Sequence, residues 1–217
     1  MTLAPRIKIC GLTRLPDVHA AVDAGVDALG LVFYPPSSRY VDACQAAVLA
    51  RAIAPFVTRV GLFVNADPAF VREVLKTVPL HLLQFHGDED EAYCQQFERP
   101  YLKAARVAPG IDLVQYASYF PSAQAILFDA LVEGYGGAGQ VFDWQLIPPN
   151  LSKPIILSGG LNENNVHEAI LCVRPAAVDV SSGVEVSKGI KSPEKIRAFV
   201  AAVQAARDAL RAKPERN

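Results

Sequence analysis

The sequence predicts an α/β protein, a single-domain (β/α)8 TIM barrel. Three observations point there. Eight short segments rich in β-branched and aliphatic residues are apolar on both faces, as buried parallel strands are. Helix-start signals fall between several of them. Dividing the 217 residues among eight strand–helix units allots about 27 to each, near the lower end for a closed barrel. An open doubly wound sheet is the competing arrangement. It uses fewer strands and a glycine fingerprint after the first, whereas the turn here reads Cys10-Gly11-Leu12-Thr13 without GxGxxG spacing.

In chain order the first strand is Arg6 to Cys10. Pro16-Asp17 then opens a helix over Val18 to Ala24, and Gly25 closes it as a left-handed cap does. The second strand is Ala28 to Phe33 and the third Thr58 to Val64, after which Asp67-Pro68 opens a helix over Ala69 to Thr77. Strands follow at Leu80 to Phe85, Tyr101 to Val107, Ala125 to Asp129 and Pro154 to Ser158. Asn162 to Asn165 opens Val166 to Val173, and the eighth strand is Ala177 to Ser181. The last helix starts at Ser192-Pro193, a cap residue with proline at the first helical position, and runs towards Arg211. No linker divides the chain, so residues 1–212 are expected to form one catalytic domain and 213–217 a frayed tail.

With 51% hydrophobic residues the chain can bury one sizeable core. Lys+Arg 21 against Asp+Glu 22 leaves a formal net charge of -1, which disfavours a nucleic-acid or membrane-surface partner. No apolar run approaches the roughly 20 residues of a bilayer span, and Met1 to Arg6 does not open a signal peptide, so a soluble cytoplasmic protein is expected. Cys10, Cys44, Cys94 and Cys172 lie too far apart for a CxxC pair or a zinc knuckle. The helix-like surroundings of Cys44, Cys94 and Cys172 mark them as small buried hydrophobes.

In a barrel the chemistry gathers where strands finish. The loops Ser158-Gly159-Gly160 and Ser181-Ser182-Gly183, after strands seven and eight, let backbone N–H groups approach an anion, and together they point to a phosphate. Taken singly, such glycines equally serve tight turns. Asp129 ends an apolar strand, where burial raises a carboxyl pKa and favours a proton donor; a loop cap or an ion pair is the other reading. Cys10, at the end of the first strand, is either a base or nucleophile as thiolate, or structural, and no histidine partner to activate it is evident. Arg39 follows a stiff Pro35-Pro36-Ser37-Ser38 stretch and suits a bidentate clamp on a carboxylate, unless it is a solvated surface arginine. Gln84, His86 and Asp179 are candidate wall residues.

The ordered set Lys8-Ile9-Cys10-Gly11-Leu12-Thr13, Phe33-Tyr34-Pro35 through Ser38-Arg39-Tyr40, Val60-Gly61-Leu62-Phe63-Val64-Asn65, Gln84-Phe85-His86-Gly87, Gly134-Tyr135-Gly136-Gly137, Phe142-Asp143-Trp144, Leu157-Ser158-Gly159-Gly160-Leu161 and Val178 to Glu185 resembles the phosphoribosylanthranilate isomerase family of tryptophan biosynthesis. The resemblance covers nearly the whole chain. It implies a cofactor-free Amadori rearrangement of N-(5-phosphoribosyl)anthranilate to 1-(2-carboxyphenylamino)-1-deoxyribulose 5-phosphate. By the family's motifs Cys10 is the general base and Asp129 the general acid; Arg39 holds the anthranilate carboxylate, and Gly159, Gly160, Ser181, Ser182 and Gly183 hold the phosphate. The expected partner is this small phosphorylated substrate alone, with no metal; a monomer is expected, with a homodimer left open.

The chain departs from the family's usual pattern at Ala130-Leu131-Val132-Glu133-Gly134 after the acid, and carries Phe85 where leucine is common. Two alternatives stand beside this reading. A related sugar-phosphate isomerase of histidine biosynthesis uses aspartates on the first and sixth strands, against which Cys10 argues. A non-catalytic phosphate-binding barrel has no need of both Cys10 and Asp129.

Overall fold

A computed structural model describes residues 4–108, 110–130, 143–149 and 151–212. The motif Gly134 to Gly137, Phe142, the loop residues 131–134 and the tail 213–217 lie outside these described residues. Eight parallel strands close in sequence order into one barrel: β1 (Arg6–Cys10), β2 (Ala28–Val32), β3 (Thr58–Phe63), β4 (Leu82–Phe85), β5 (Tyr101–Val107), β6 (Ala125–Ala130), β7 (Ile155–Leu157) and β8 (Ala177–Val180). Pairing of β1 with β8 closes the ring, matching Lys8 with Asp179 and Ile9 with Val180. This is the (β/α)8 TIM barrel that the sequence predicts.

The both-faces-apolar strands have a direct structural cause. Along β5, Leu102 and Ala104 point into the barrel while Tyr101, Ala105 and Val107 point to the helices, and β6 divides the same way into Ala125 and Leu127 against Ile126 and Phe128. Two apolar clusters result. The inner one holds Leu102, Ala104, Ala125, Leu127 and Ile156; the outer, larger one lies between sheet and helices. Phe85 belongs to the outer cluster, beside Phe63, Tyr93, Phe97 and Tyr101. The phenyl therefore packs beneath the helices instead of lining the mouth.

Helices α1 (Leu15–Asp23), α2 (Ala43–Ala52), α3 (Pro68–Thr77), α4 (Glu91–Gln95), α5 (Leu113–Ser118), α6 (Val166–Val173) and α7 (Pro193–Ala212) cover the sheet. Four of them start on aspartates that accept backbone N–H bonds: Asp42 from Gln45, Asp67 from Ala69, Asp90 from Tyr93 and Asp112 from Val114 and Gln115. α6 has the bounds that its sequence signals predict, while α1 begins three residues earlier than expected, with Pro16 inside its first turn. β4 begins at Leu82 instead of Leu80, and β6 runs one residue past Asp129. After β8 comes a 3₁₀ turn (Ser182–Val184) and a hairpin, β9 (Glu185–Ser187) with β10 (Ile190–Lys191), that the periodicity did not indicate.

One expectation fails outright. Cys44 and Cys172 do lie in helices, but both are exposed; Cys94 alone of the three is buried. A helical context fixes the period of burial but not which face a given residue takes. Burial pushes the Cys94 thiol up to about 12, so it stays protonated.

Candidate active site

Because all eight strands are parallel, their carboxyl ends share one mouth. Every residue singled out from the sequence lies there: Cys10 on β1, Arg39 between β2 and α2, Gln84 and His86 on and just after β4, Asp129 on β6, Gly159-Gly160 after β7, and Asp179 with Ser181-Ser182-Gly183 on and after β8.

The two-residue period of β1 puts Lys8 on the same inner face as Cys10, and both are buried. The Lys8 ammonium donates to Asp179 Oδ2 at 2.9 Å, across the β1–β8 pairing. The other carboxylate oxygen of Asp179 is buried and has no hydrogen-bond partner among the described residues. Gly30 on β2 makes room for this group: a Cβ there would lie 2.7 Å from Cys10 Sγ and 3.2 Å from Lys8 Nζ. Burial pushes the Cys10 thiol above its ordinary value, the Lys8 charge pulls against that, and Asp179 pushes the same way as burial. Lys8 itself pays the desolvation cost of a buried ammonium, but the pull of Asp179 and of the Cys10 sulfur, by charge and by hydrogen bond, outweighs this and raises its pKa.

Asp129 is buried, and its Oδ1 accepts the Ala130 N–H at 2.9 Å. Its Oδ2 lies 3.2 Å from His86 Nε2, and His86 Nδ1 lies 3.0 Å from Gln84 Nε2. The sequence left open whether Asp129 caps a loop or pairs with a neighbour; the partner brought to it is an imidazole from β4. Since Gln84 and His86 are two residues apart, strand geometry turns both inward. A carboxyl against an imidazole nitrogen is an arrangement through which a proton can be held or passed.

Arg39 is buried, which removes the reading of a solvated surface arginine. Its Nε and Nη2 donate to Glu185 Oε1 and Oε2 at 2.7 and 2.8 Å, a bidentate grip. Lys191 Nζ shares Oε1 at 2.8 Å, because the β9–β10 register sets Lys191 opposite Glu185. Those hydrogen bonds, together with the Glu185 charge, outweigh the opposing effect of burial and raise the Arg39 pKa further. Gly11, at φ +76°, passes so close beneath the Arg39 stem that a Cβ would collide with Arg39 Cδ. Arg39 is therefore rigid before any ligand arrives.

The two loops meant for phosphate do meet. A Cβ on Gly183 would fall on the Leu161 carbonyl oxygen, so the loop after β8 packs directly on the loop after β7. Gly159 and Gly160 both have positive φ, +86° and +64°, and a Cβ on Gly159 would lie 2.6 Å from the Ala130 nitrogen and 3.0 Å from Asp129 Oδ1. The phosphate candidates thus border the carboxyl candidate. The Ser181 side chain is engaged within the protein: its hydroxyl donates to the Cys10 carbonyl at 3.0 Å, and Lys191 Nζ donates to the Ser181 carbonyl at 3.0 Å.

Sequence reasoning missed Lys8, Glu185 and Lys191. For Lys8 a signal existed, a lone charge two residues before Cys10 in an apolar strand, which period two places beside it. Glu185 closes the family-like segment from Val178, but its meeting with Arg39 and Lys191 had no signal, since it depends on a hairpin that nothing in the local pattern announces.

The model of the family described as N-(5'phosphoribosyl)anthranilate (PRA) isomerase matches residues 7–202. An N-(5'-phosphoribosyl)anthranilate isomerase of Dechloromonas aromatica is 62% identical over 205 residues, spanning 94% of this chain and 99% of that protein. One of Methylibium petroleiphilum is 58% identical over 201 residues, 93% of this chain and 94% of that protein. Among solved structures, phosphoribosyl anthranilate isomerase of Thermotoga maritima superposes with TM-score 0.85 at 40% identity, covering 93% of this chain and 99% of that one. A second, solved with reduced 1-(o-carboxyphenylamino)-1-deoxyribulose 5-phosphate, superposes at 0.82 with 39% identity over the same shares. With the family model matched from the first strand into the last helix and these relatives aligned over nearly their full lengths, the chain belongs to the N-(5'-phosphoribosyl)anthranilate isomerase family.

Proposed function

We propose that Cys10 and Asp129 are the base and the acid of the family's isomerisation. As a member of the family the chain converts N-(5-phosphoribosyl)anthranilate to 1-(2-carboxyphenylamino)-1-deoxyribulose 5-phosphate, a step of tryptophan biosynthesis. The observation that carries the residue assignment is one mouth holding a buried thiol on β1 and a buried carboxyl on β6, with a fixed guanidinium and a glycine-loop pair beside them.

The chemistry needs two proton-transfer groups. Protonated Asp129 donates to the furanose ring oxygen as the aniline nitrogen pushes in its electron pair, opening the ring to an iminium. Cys10, as thiolate, takes the C2 proton; the C–H pair becomes the double bond of an enolamine, the nitrogen becomes neutral, and tautomerisation yields the ketose. Arg39, held by Glu185, offers its remaining N–H groups to the anthranilate carboxylate. Backbone N–H groups of Gly159, Gly160, Ser182 and Gly183, with Ser181 shaping the loop, take the phosphate. His86, oriented by Gln84, holds the Asp129 carboxyl in place, and anchoring both ends of the substrate lowers the barrier by several kcal/mol, on the order of what positioning supplies in intramolecular reactions.

The reading extends to residues 1–212 as one catalytic domain in the cytosol, acting as a monomer with a homodimer as the alternative; closure of all eight strands into one barrel supports the single domain. It takes a small phosphorylated substrate and neither nucleic acid nor membrane, a reading that rests on the formal net charge of -1. The test is turnover of freshly generated phosphoribosylanthranilate, followed by loss of its fluorescence. Wild type is expected to convert it, and Cys10→Ser and Asp129→Asn each to lose about 100-fold or more, the scale of general acid–base catalysis. Activity retained by either variant removes that residue's role.

A further inference from the structure

A thiol sealed in a protein interior is a poor base, because burial disfavours the thiolate. Cys10 is in that position, and no imidazole stands beside it to take its proton: His86 is turned to Asp129. What the barrel supplies instead is a cation two residues earlier on the same strand. Lys8 lies inside the barrel, almost without solvent exposure, and such burial of a lysine is rare unless it is paired, as Lys8 is with Asp179.

We propose that Lys8 is a positioning residue for the base: its ammonium, held in place by Asp179, is the counter-charge against which Cys10 becomes a thiolate. The inference rests on the reading of Cys10 as the base. Three features carry it. Lys8 Nζ and Cys10 Sγ converge on the same point above Gly30, at 3.2 and 2.7 Å from where a Cβ would stand, so Gly30 keeps open the space in which they meet. Asp179 uses one oxygen to hold Lys8 at 2.9 Å, while its other oxygen has no hydrogen-bond partner among the described residues. The ammonium has three donors and the carboxylate occupies one, leaving capacity for sulfur.

Other charges face the thiol, and their commitments differ. Lys191 of β10 and Arg39 of the loop after β2 both lie within electrostatic reach, but each is bound to Glu185, and Lys191 also to Ser181. Asp129 and His86 act on Asp179 from across the mouth. Lys8 exerts the strongest pull of these cations on the Cys10 proton. During turnover the thiolate becomes a thiol as it takes the C2 proton, and Lys8 remains an ammonium throughout, so it exchanges no proton with substrate.

The experiment is a titration of Cys10 by ultraviolet thiolate absorbance, each protein read as a difference against the same protein carrying Cys10→Ser, together with the pH profile of kcat/KM. Lys8→Met is expected to raise the Cys10 ionisation by about one unit or more, and to lower kcat/KM at neutral pH about tenfold, with recovery as pH rises. Asp179→Asn, which leaves the ammonium without its carboxylate, is expected to shift the thiol the opposite way, downward. If Lys8→Met does not fold because Asp179 is left buried and alone, Lys8→Met with Asp179→Asn leaves no unpaired charge, and an upward shift is expected there too. A pair that merely braces the barrel moves stability without these opposed shifts. An unchanged ionisation in the folded variants, or shifts of the same sign in Lys8→Met and Asp179→Asn, overturns the proposal. Full turnover by Cys10→Ser removes the base assignment separately, since the titration reads the thiol without reference to activity.

Discussion

Glu185 shows how much one residue can hold at this mouth. Burial alone would push its carboxyl up, but hydrogen bonds from Arg39 and the charge of Lys191 more than offset that, so it sits below the ordinary glutamate value of 4.5. A carboxyl with a folded pKa below its unfolded one stabilises the fold above the unfolded value and loses that contribution as pH falls through the folded value. Glu185→Gln is therefore expected to lower Tm at pH 7, by about 3 kcal/mol of stability for a buried pair left broken, and to match wild type more closely as pH drops below 4.5. Thermal unfolding across pH 3 to 7 (roughly the range that linkage addresses) checks it. Because Glu185 orients Arg39, the same variant is expected to raise KM more than it lowers kcat, which steady-state kinetics separates. Arg39→Lys keeps the charge but not the fork that Glu185 grips, and is expected to raise KM as well. Cys10 and Asp129 were legible in the sequence because a polar residue ending an apolar strand is conspicuous, and Arg39 because it follows the stiff Pro35 to Ser38 stretch. Glu185 was not, since nothing local distinguishes a carboxylate that will meet an arginine 146 positions earlier.

At the scale of the element, the strand period does most of the positioning. It turns Lys8 with Cys10 on β1 and Gln84 with His86 at β4 into the barrel, while Ile7, Ile9 and Phe85 face the helices. The sequence made these strands recognisable by composition, but read them as uniform apolar runs, so the inward charges were not drawn out. The glycine positions are the complement of that pattern. Gly30→Ala would set a Cβ 2.7 Å from Cys10 Sγ and 3.2 Å from its Cα, which forces the sulfur aside. The expected result is a loss of kcat of about tenfold or more with the helical circular dichroism unchanged, since a displacement on the order of an ångström is costly to catalysis. Gly183→Ala is more severe, because its Cβ meets the Leu161 backbone carbonyl rather than a side chain that can turn away. It is expected to weaken phosphate binding, read as a raised inhibition constant for inorganic phosphate. The expected burial of Cys44 and Cys172 failed at this same scale, since their helices turn those two positions outward.

For the whole molecule, closure is what brings chemistry together. Lys8 meets Asp179 across 171 positions of sequence only because β8 returns to pair with β1, and Arg207 of α7 donates to the Pro5 carbonyl at the far end of the chain. The inner apolar layer of Leu102, Ala104, Ala125, Leu127 and Ile156 fills the barrel beneath the mouth. Leu127→Ala is expected to cost about 2–5 kcal/mol by lost burial and the cavity left behind, checked by denaturant unfolding. The barrel class, the order of its strands and the family were determined by the sequence alone, because each strand's composition and its terminal polar residue are local properties repeated along the chain. Tertiary structure alone decided that Arg39 and Lys191 would share Glu185, that Asp129 would face His86, and that Asp179 would meet Lys8 of the first strand. These are contacts between distant segments, and their geometry is set by strand register and barrel closure, which no local pattern of residues contains.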